Sequence, residues 1–185
     1  MSHLFTPRYD EPTGRYCGPT AICAVTGVPL SEVKAAIRQS SGKIEDIAGR
    51  AHRVSGVANK DLIGAMALLG WMPTDIWEAP KPTREWKSDC EPGHPNFHNC
   101  GRWVRHGAAA NPFANFLGEH GLDGPFIVNV TGHYIAVGWG ELCDPFNPTG
   151  TEIDRYLSRS WKRGKQGRYQ NAWVQRWWKF ERISL

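Results

Sequence analysis

The chain has 185 residues, 41% hydrophobic and 22% charged, which is ordinary for a globular protein with room for one compact domain or two packed lobes. The formal net charge of +4 is mildly basic: it permits an acidic partner without demanding nucleic acid. No run of about 18 apolar residues is present, so no transmembrane helix is expected.

Met1–Asp10 lacks an apolar signal core and a cleavage pattern, so a reducing cytoplasm is the expected compartment. The five cysteines are Cys17, Cys23, Cys90, Cys100 and Cys143. An odd number without a signal segment argues against a disulfide framework. Each thiol is then read by itself as nucleophile, metal ligand or small buried hydrophobe.

A polar, turn-rich arm precedes the first predicted helix, which Gly18-Pro19 opens and Gly27 with Pro29 closes. Within it Ala21, Ala24, Val25 and Val28 have the spacing of one buried face. Ser31 is expected to cap a second helix with the apolar stripe Val33, Ala36 and Ile37. Asn59 is expected to cap a third, which ends at Gly70.

Beyond it Pro73, Pro80, Pro82, Pro92, Pro95 and Pro112 predict an irregular stretch without long regular elements. A short helix from Pro112 to Glu119 closes it. The pattern then turns to strands: Phe126–Val130, His133–Trp139 after Thr131-Gly132, a return through Leu142-Cys143, and a last strand over Ala172–Ile183. Trp177 and Trp178 on that strand cannot both face one core, so one is expected to be exposed or covered by another lobe. Helices first and strands later make the class α+β. The organisation expected is a single domain, helical over about residues 1–72, irregular over about 73–111 and β over about 124–185.

Cys17 stands at the start of the first helix. The partial positive charge there favours thiolate over thiol, and the first N–H groups point at any oxyanion formed on this residue. Gly18 is expected to leave room for an approaching carbonyl. Cys23, inside the helix, reads as core. A thiol nucleophile needs an imidazole, and His133 at a strand start supplies it, with His133, Ile135 and Val137 on the face expected to pack on the Cys17 helix. A tight turn and short return strand then bring Asp144 beside His133, where a carboxylate would set the imidazole tautomer.

Cys17-Gly18-Pro19-Thr20-Ala21, Gly132-His133-Tyr134-Ile135-Ala136-Val137 and Asp144-Pro145 together resemble the papain-like cysteine peptidase superfamily. The resemblance is to the branch of bacteriocin-leader (double-glycine) processing peptidases and small phage or bacterial relatives. It covers three short islands in order, not the whole chain. It implies a papain-like fold, with an N-terminal helical lobe carrying the nucleophile packed on a C-terminal antiparallel sheet. It also implies a cytoplasm of a bacterial or phage-infected cell, a protein or peptide substrate, and hydrolysis or transfer at an amide or thioester carbonyl through an acyl-enzyme without a catalytic cofactor.

The chain departs from the family where a glutamine usually donates to the oxyanion: Glu11 stands there, and an ionised glutamate only accepts. Three readings follow. Another group such as Arg15 or Tyr16 donates, backbone N–H groups suffice, or the fold is reused as a catalytically impaired protein-binding module.

Cys90, His94, His98 and Cys100 are a candidate structural zinc set in the proline-rich stretch; otherwise Cys100 or nearby His106 would line a substrate cleft. The basic residues Arg155, Arg159, Lys162, Arg163, Lys165 and Arg168, interleaved with Trp161 and Tyr169, allow a zinc-clipped nucleic-acid-associated protein as a further alternative. A solvated loop between strands is the reading preferred, without nucleic acid or membrane as partner.

Overall fold

A computed structural model describes residues 8–10, 16–44, 54, 56–79, 83–88, 101–106, 112–145, 147–158 and 172–183, with 83–88 and 101–106 described by their backbone. Three helices come first, α1 (Cys17–Thr26), α2 (Leu30–Ser41) and α3 (Asn59–Leu68). The strands β1 (Trp71–Glu78), β2 (Thr83–Ser88) and β3 (Gly101–His106) follow, then α4 (Phe113–His120). The chain continues with β4 (Phe126–Val130), β5 (His133–Gly138), β6 (Glu141–Asp144), β7 (Asn147–Glu152), α5 (Ile153–Ser158) and β8 (Val174–Arg182). The class is α+β.

Residues 1–78 and 111–185 form one compact unit and 79–110 a second. The second contains β2 and β3, paired antiparallel from Thr83↔His106 to Ser88↔Gly101. The first is built on a six-stranded sheet in the order β1-β8-β4-β5-β6-β7, every neighbouring pair antiparallel.

Each face of that sheet has its own core. On one, Ile127, Tyr134, Ala136, Cys143, Trp178 and Phe180 pack with Ala21, Ile22, Leu30, Leu62 and Met66 of α1, α2 and α3. On the other, Val128, Ile135, Val137 and Leu142 pack with Phe113, Phe116 and Leu117 of α4 and Ile153 and Tyr156 of α5. Because both faces are covered, the two adjacent tryptophans are both accommodated: Trp178 is buried in the first core and Trp177 packs against the second.

Several local expectations are corrected by this packing. α1 buries every residue from Gly18 to Val25 rather than a single face, because helices and sheet surround it. Ser31 does not cap α2: its N–H goes to Asp10 Oδ1 at 3.0 Å and its hydroxyl to Asp10 Oδ2, so the arm supplies the acceptor. Asn59 is the first residue of α3, not its cap; its side-chain oxygen accepts from the Tyr134 phenol.

The stretch beginning at Pro73 is not irregular throughout. Trp71–Glu78 is the outermost strand, and Pro73 is tolerated because β1 pairs only with β8 and shifts register between Pro73 and Asp75. β2, β3, β7 and α5 are further elements that periodicity did not predict.

Candidate active site

α1 begins at Cys17 with Tyr16 as its extended N-cap residue. The Thr20 hydroxyl and N–H both return to the Tyr16 carbonyl, at 2.9 and 3.3 Å, which secures the first turn. α1 packs across β4, β5 and β6. Its first residue therefore meets the end of β5 that starts with His133.

His133 Nε2 lies 3.6 Å from Asp144 Oδ2, slightly longer than a standard hydrogen bond. Asp144 is only 2% exposed and His133 14%. With Nε2 turned to the carboxylate, Nδ1 is the nitrogen left to face the Cys17 sulfur. The structure thus brings Cys17, His133 and Asp144 into one cluster.

The electrostatics follow from that placement. Burial alone would raise the Cys17 pKa. The hydrogen bond to His133, the N–H of Tyr134, the imidazolium charge and the N–H of Gly18 outweigh it and hold the thiol below its ordinary 9.0. Burial alone would lower His133, but its bonds to Asp144 and Cys17 raise it to about 9. Both shifts favour a thiolate–imidazolium pair. The other described thiols move the opposite way: burial pushes Cys23 up to about 11 and Cys143 up to about 12.

The face expected to meet α1 was the wrong one. Tyr134 and Ala136 pack in the core with α1, whereas Ile135 and Val137 belong to the core with α4 and α5. His133 meets the thiol because it is the first residue of β5, at the strand end, and not because its face lies on the helix.

Tyr134 is a site residue that sequence reasoning missed. The two-residue loop makes Val130 and His133 a hydrogen-bonded pair, so the N–H of Tyr134 points toward β6. Ladder pairing with β6 runs only to Ala136↔Cys143, which stops short of Tyr134. The Tyr134 N–H bonds the Cys17 sulfur instead. The Tyr134 hydroxyl lies 3.1 Å from the Val57 carbonyl and 2.6 Å from Asn59 Oδ1, fixing that segment beside the thiol.

Gly18 also serves the packing of the helix start. A Cβ there would stand 2.7 Å from Val57 Cγ2 and 3.7 Å from Tyr134 Cδ2, so the glycine lets Val57 pack against the helix start. Behind Asp144, the Tyr9 hydroxyl lies 3.7 Å from Cys143 Sγ.

Glu11 and Arg15 lie outside the described residues, as do Cys90, His94, His98 and Cys100 and the basic positions 159, 162, 163, 165 and 168. His106 is described by its backbone in β3, and Arg155 lies exposed on α5. Among the described residues no group of three or more His, Cys, Asp or Glu is placed to hold a metal ion, and no helix is long and apolar enough to cross a membrane. No protein-family model, curated protein or solved structure matches the chain.

Proposed function

We propose that the protein is a cysteine hydrolase of papain-like type, acting on a peptide, isopeptide or related amide bond. The observation that carries this reading is the meeting of Cys17, at a helix start, with His133, whose Nε2 lies 3.6 Å from the buried Asp144 carboxylate; that contact is what lowers the thiol and raises the imidazole.

In this reading the Cys17 thiolate attacks the carbonyl carbon and the carbonyl electron pair moves to oxygen. His133 gives its Nδ1 proton to the leaving amine as the tetrahedral intermediate collapses to a thioester. Water then attacks the thioester, His133 takes its proton, and the acid leaves with the thiolate restored. Asp144 holds Nε2 and stabilises the imidazolium throughout. The N–H of Cys17, at the helix start, has no partner within α1 and is the backbone donor nearest the developing oxyanion.

Limiting iodoacetamide with peptide mapping tests the nucleophile. Cys17 is expected to alkylate at pH 6–7 well ahead of Cys23 and Cys143, and equal labelling of the three in folded protein overturns the reading. Incubation with a mixed peptide library, read by mass spectrometry, tests turnover. Cleavage lost in C17A is the expected result; a reactive Cys17 without cleavage favours the impaired binding module.

A further inference from the structure

β4 reads Phe126-Ile127-Val128-Asn129-Val130, and it is buried from end to end. Four of its residues are apolar. Asn129 is the exception, 8% exposed in the middle of the sheet. A buried amide is costly unless both its ends are bonded, so its partners indicate why it is there.

Its carbonyl end, Oδ1, accepts the N–H of Gly132 at 3.0 Å. Its amide end lies on the face of the sheet that carries the Tyr134 phenol, whose pKa the Asn129 side chain draws down. The second contact is short-range by construction, since Asn129 and Tyr134 are directly opposed at a non-hydrogen-bonded position, where side chains lie closest.

Each partner touches the site from a different side. Gly132 is the second residue of the turn that leads into His133, and that turn is strained: Thr131, a β-branched residue, has φ of 52°. Tyr134 holds the thiol through its N–H and the Val57–Asn59 segment through its hydroxyl. Gln175 Oε1 also accepts from Gly132, at 3.1 Å, but Gln175 is exposed on β8.

We infer that Asn129 is a positioning residue for the Cys17–His133 pair: it ties the strained turn carrying His133 to the Tyr134 side chain that fixes the wall beside the thiol. This rests on the cysteine-hydrolase reading and goes beyond it by naming a residue that never touches substrate. Without the amide, the turn and the phenol move independently, and the imidazole and sulfur lose their fixed separation.

The test is the pH profile of Cys17 alkylation by iodoacetamide in wild type, N129L, Y134F and H133A, with folding followed by circular dichroism. N129L keeps the branching of the side chain and removes both polar ends, while Cys17, Arg176 and Asp61, the charges acting on Tyr134, stay in place. The expected result is a folded N129L whose alkylation at pH 6 is about tenfold slower, with its acid limb moved toward an ordinary thiol.

Y134F, which breaks one end of the link, is expected to slow it about threefold in the same direction. If folded N129L gives a profile that superimposes on wild type while H133A slows alkylation, Asn129 is only a structural residue and the inference is overturned, with the hydrolase reading intact. If H133A itself leaves Cys17 unchanged, the reading falls and takes the inference with it. Should N129L not fold, the smaller N129A decides: a shifted profile supports the link and an unshifted one overturns it.

Discussion

β5 has a two-residue turn at each end, and the two turns share one backbone geometry. Thr131 and Gly132 have φ of 52° and 78°, and Trp139 and Gly140 have 51° and 86°. Both are hairpin turns with two left-handed residues, the kind whose twist matches antiparallel strands. What holds them differs. The turn before His133 is secured by side chains, Asn129 and Gln175, which accept the Gly132 N–H. The far turn is secured by main chain: Trp139 N–H to the Asp123 carbonyl at 2.8 Å, Gly140 N–H to the Gly121 carbonyl at 2.7 Å, and Ile153 N–H to the Gly140 carbonyl at 2.8 Å. Main-chain bonds form with nearly any sequence; side-chain bonds need particular residues. The strand end that begins with His133 is thus the one whose conformation depends on residue identity.

The largest effect expected at the near end comes from His133. H133A should slow alkylation of Cys17 at pH 7 about thirtyfold, because the thiol returns toward an ordinary value at which a few per cent is thiolate. W139A, at the far end, should leave the rate unchanged. A comparable loss in both variants would erase the distinction between the turns.

D144N comes next. Removing the carboxylate should lower the His133 pKa from about 9 by roughly one to two units. Turnover is expected to be bell-shaped, rising as Cys17 ionises below the usual thiol range and falling as His133 deprotonates, so D144N should pull in the alkaline limb alone. The stability consequence has a definite sign. His133 titrates higher in the folded protein than its ordinary 6.5, so its contribution is complete below 6.5 and lost as pH rises through about 9. Wild type should therefore lose stability relative to H133A over that window in thermal melts.

Two glycines extend the comparison to packing. A Cβ on Gly18 meets the Val57 side chain at 2.7 Å, whereas one on Gly138 meets the Gly124 carbonyl oxygen and Pro125 Cα, both at 3.1 Å. A side chain can give way; backbone cannot do so without moving the sheet. G18A should cost about 1–2 kcal/mol and G138A about 3 kcal/mol in urea melts. The reverse order would show the near end to be the more rigid.

The smallest effects are those of T131G and W139G. Each relieves a left-handed residue in the folded state and adds freedom to the unfolded chain, so both melts should stay within about 1 kcal/mol of wild type. Only T131G should slow Cys17 alkylation at pH 6, by about threefold.

Much of the site was legible because its signals are local. A cysteine before Gly-Pro at a helix start, a histidine after a Thr-Gly turn and an aspartate before proline each sit where a few neighbouring residues determine the backbone. Asn129 also left a signal, one polar residue inside an apolar strand, but its meaning lies in partners three and five positions on, across a turn.

Other features had no local signature. Ser31 and Asn59 are good capping residues in isolation, yet the Asp10 carboxylate and the Tyr134 phenol engage them instead.

By itself the sequence determined α1 to α4, the strands β4, β5, β6 and β8, the α+β class and the places of Cys17, His133 and Asp144 at element ends. Tertiary structure alone decided which face of β5 meets α1. His133–Gly138 is apolar on both sides because helices cover both, so alternation carried no polar face to mark the outside. It also decided that Pro73 belongs to a strand, since only an edge position tolerates the missing N–H, and that Val57 packs where a Cβ on Gly18 would stand. These are matters of what lies across the fold from a residue, which spacing along the chain does not encode.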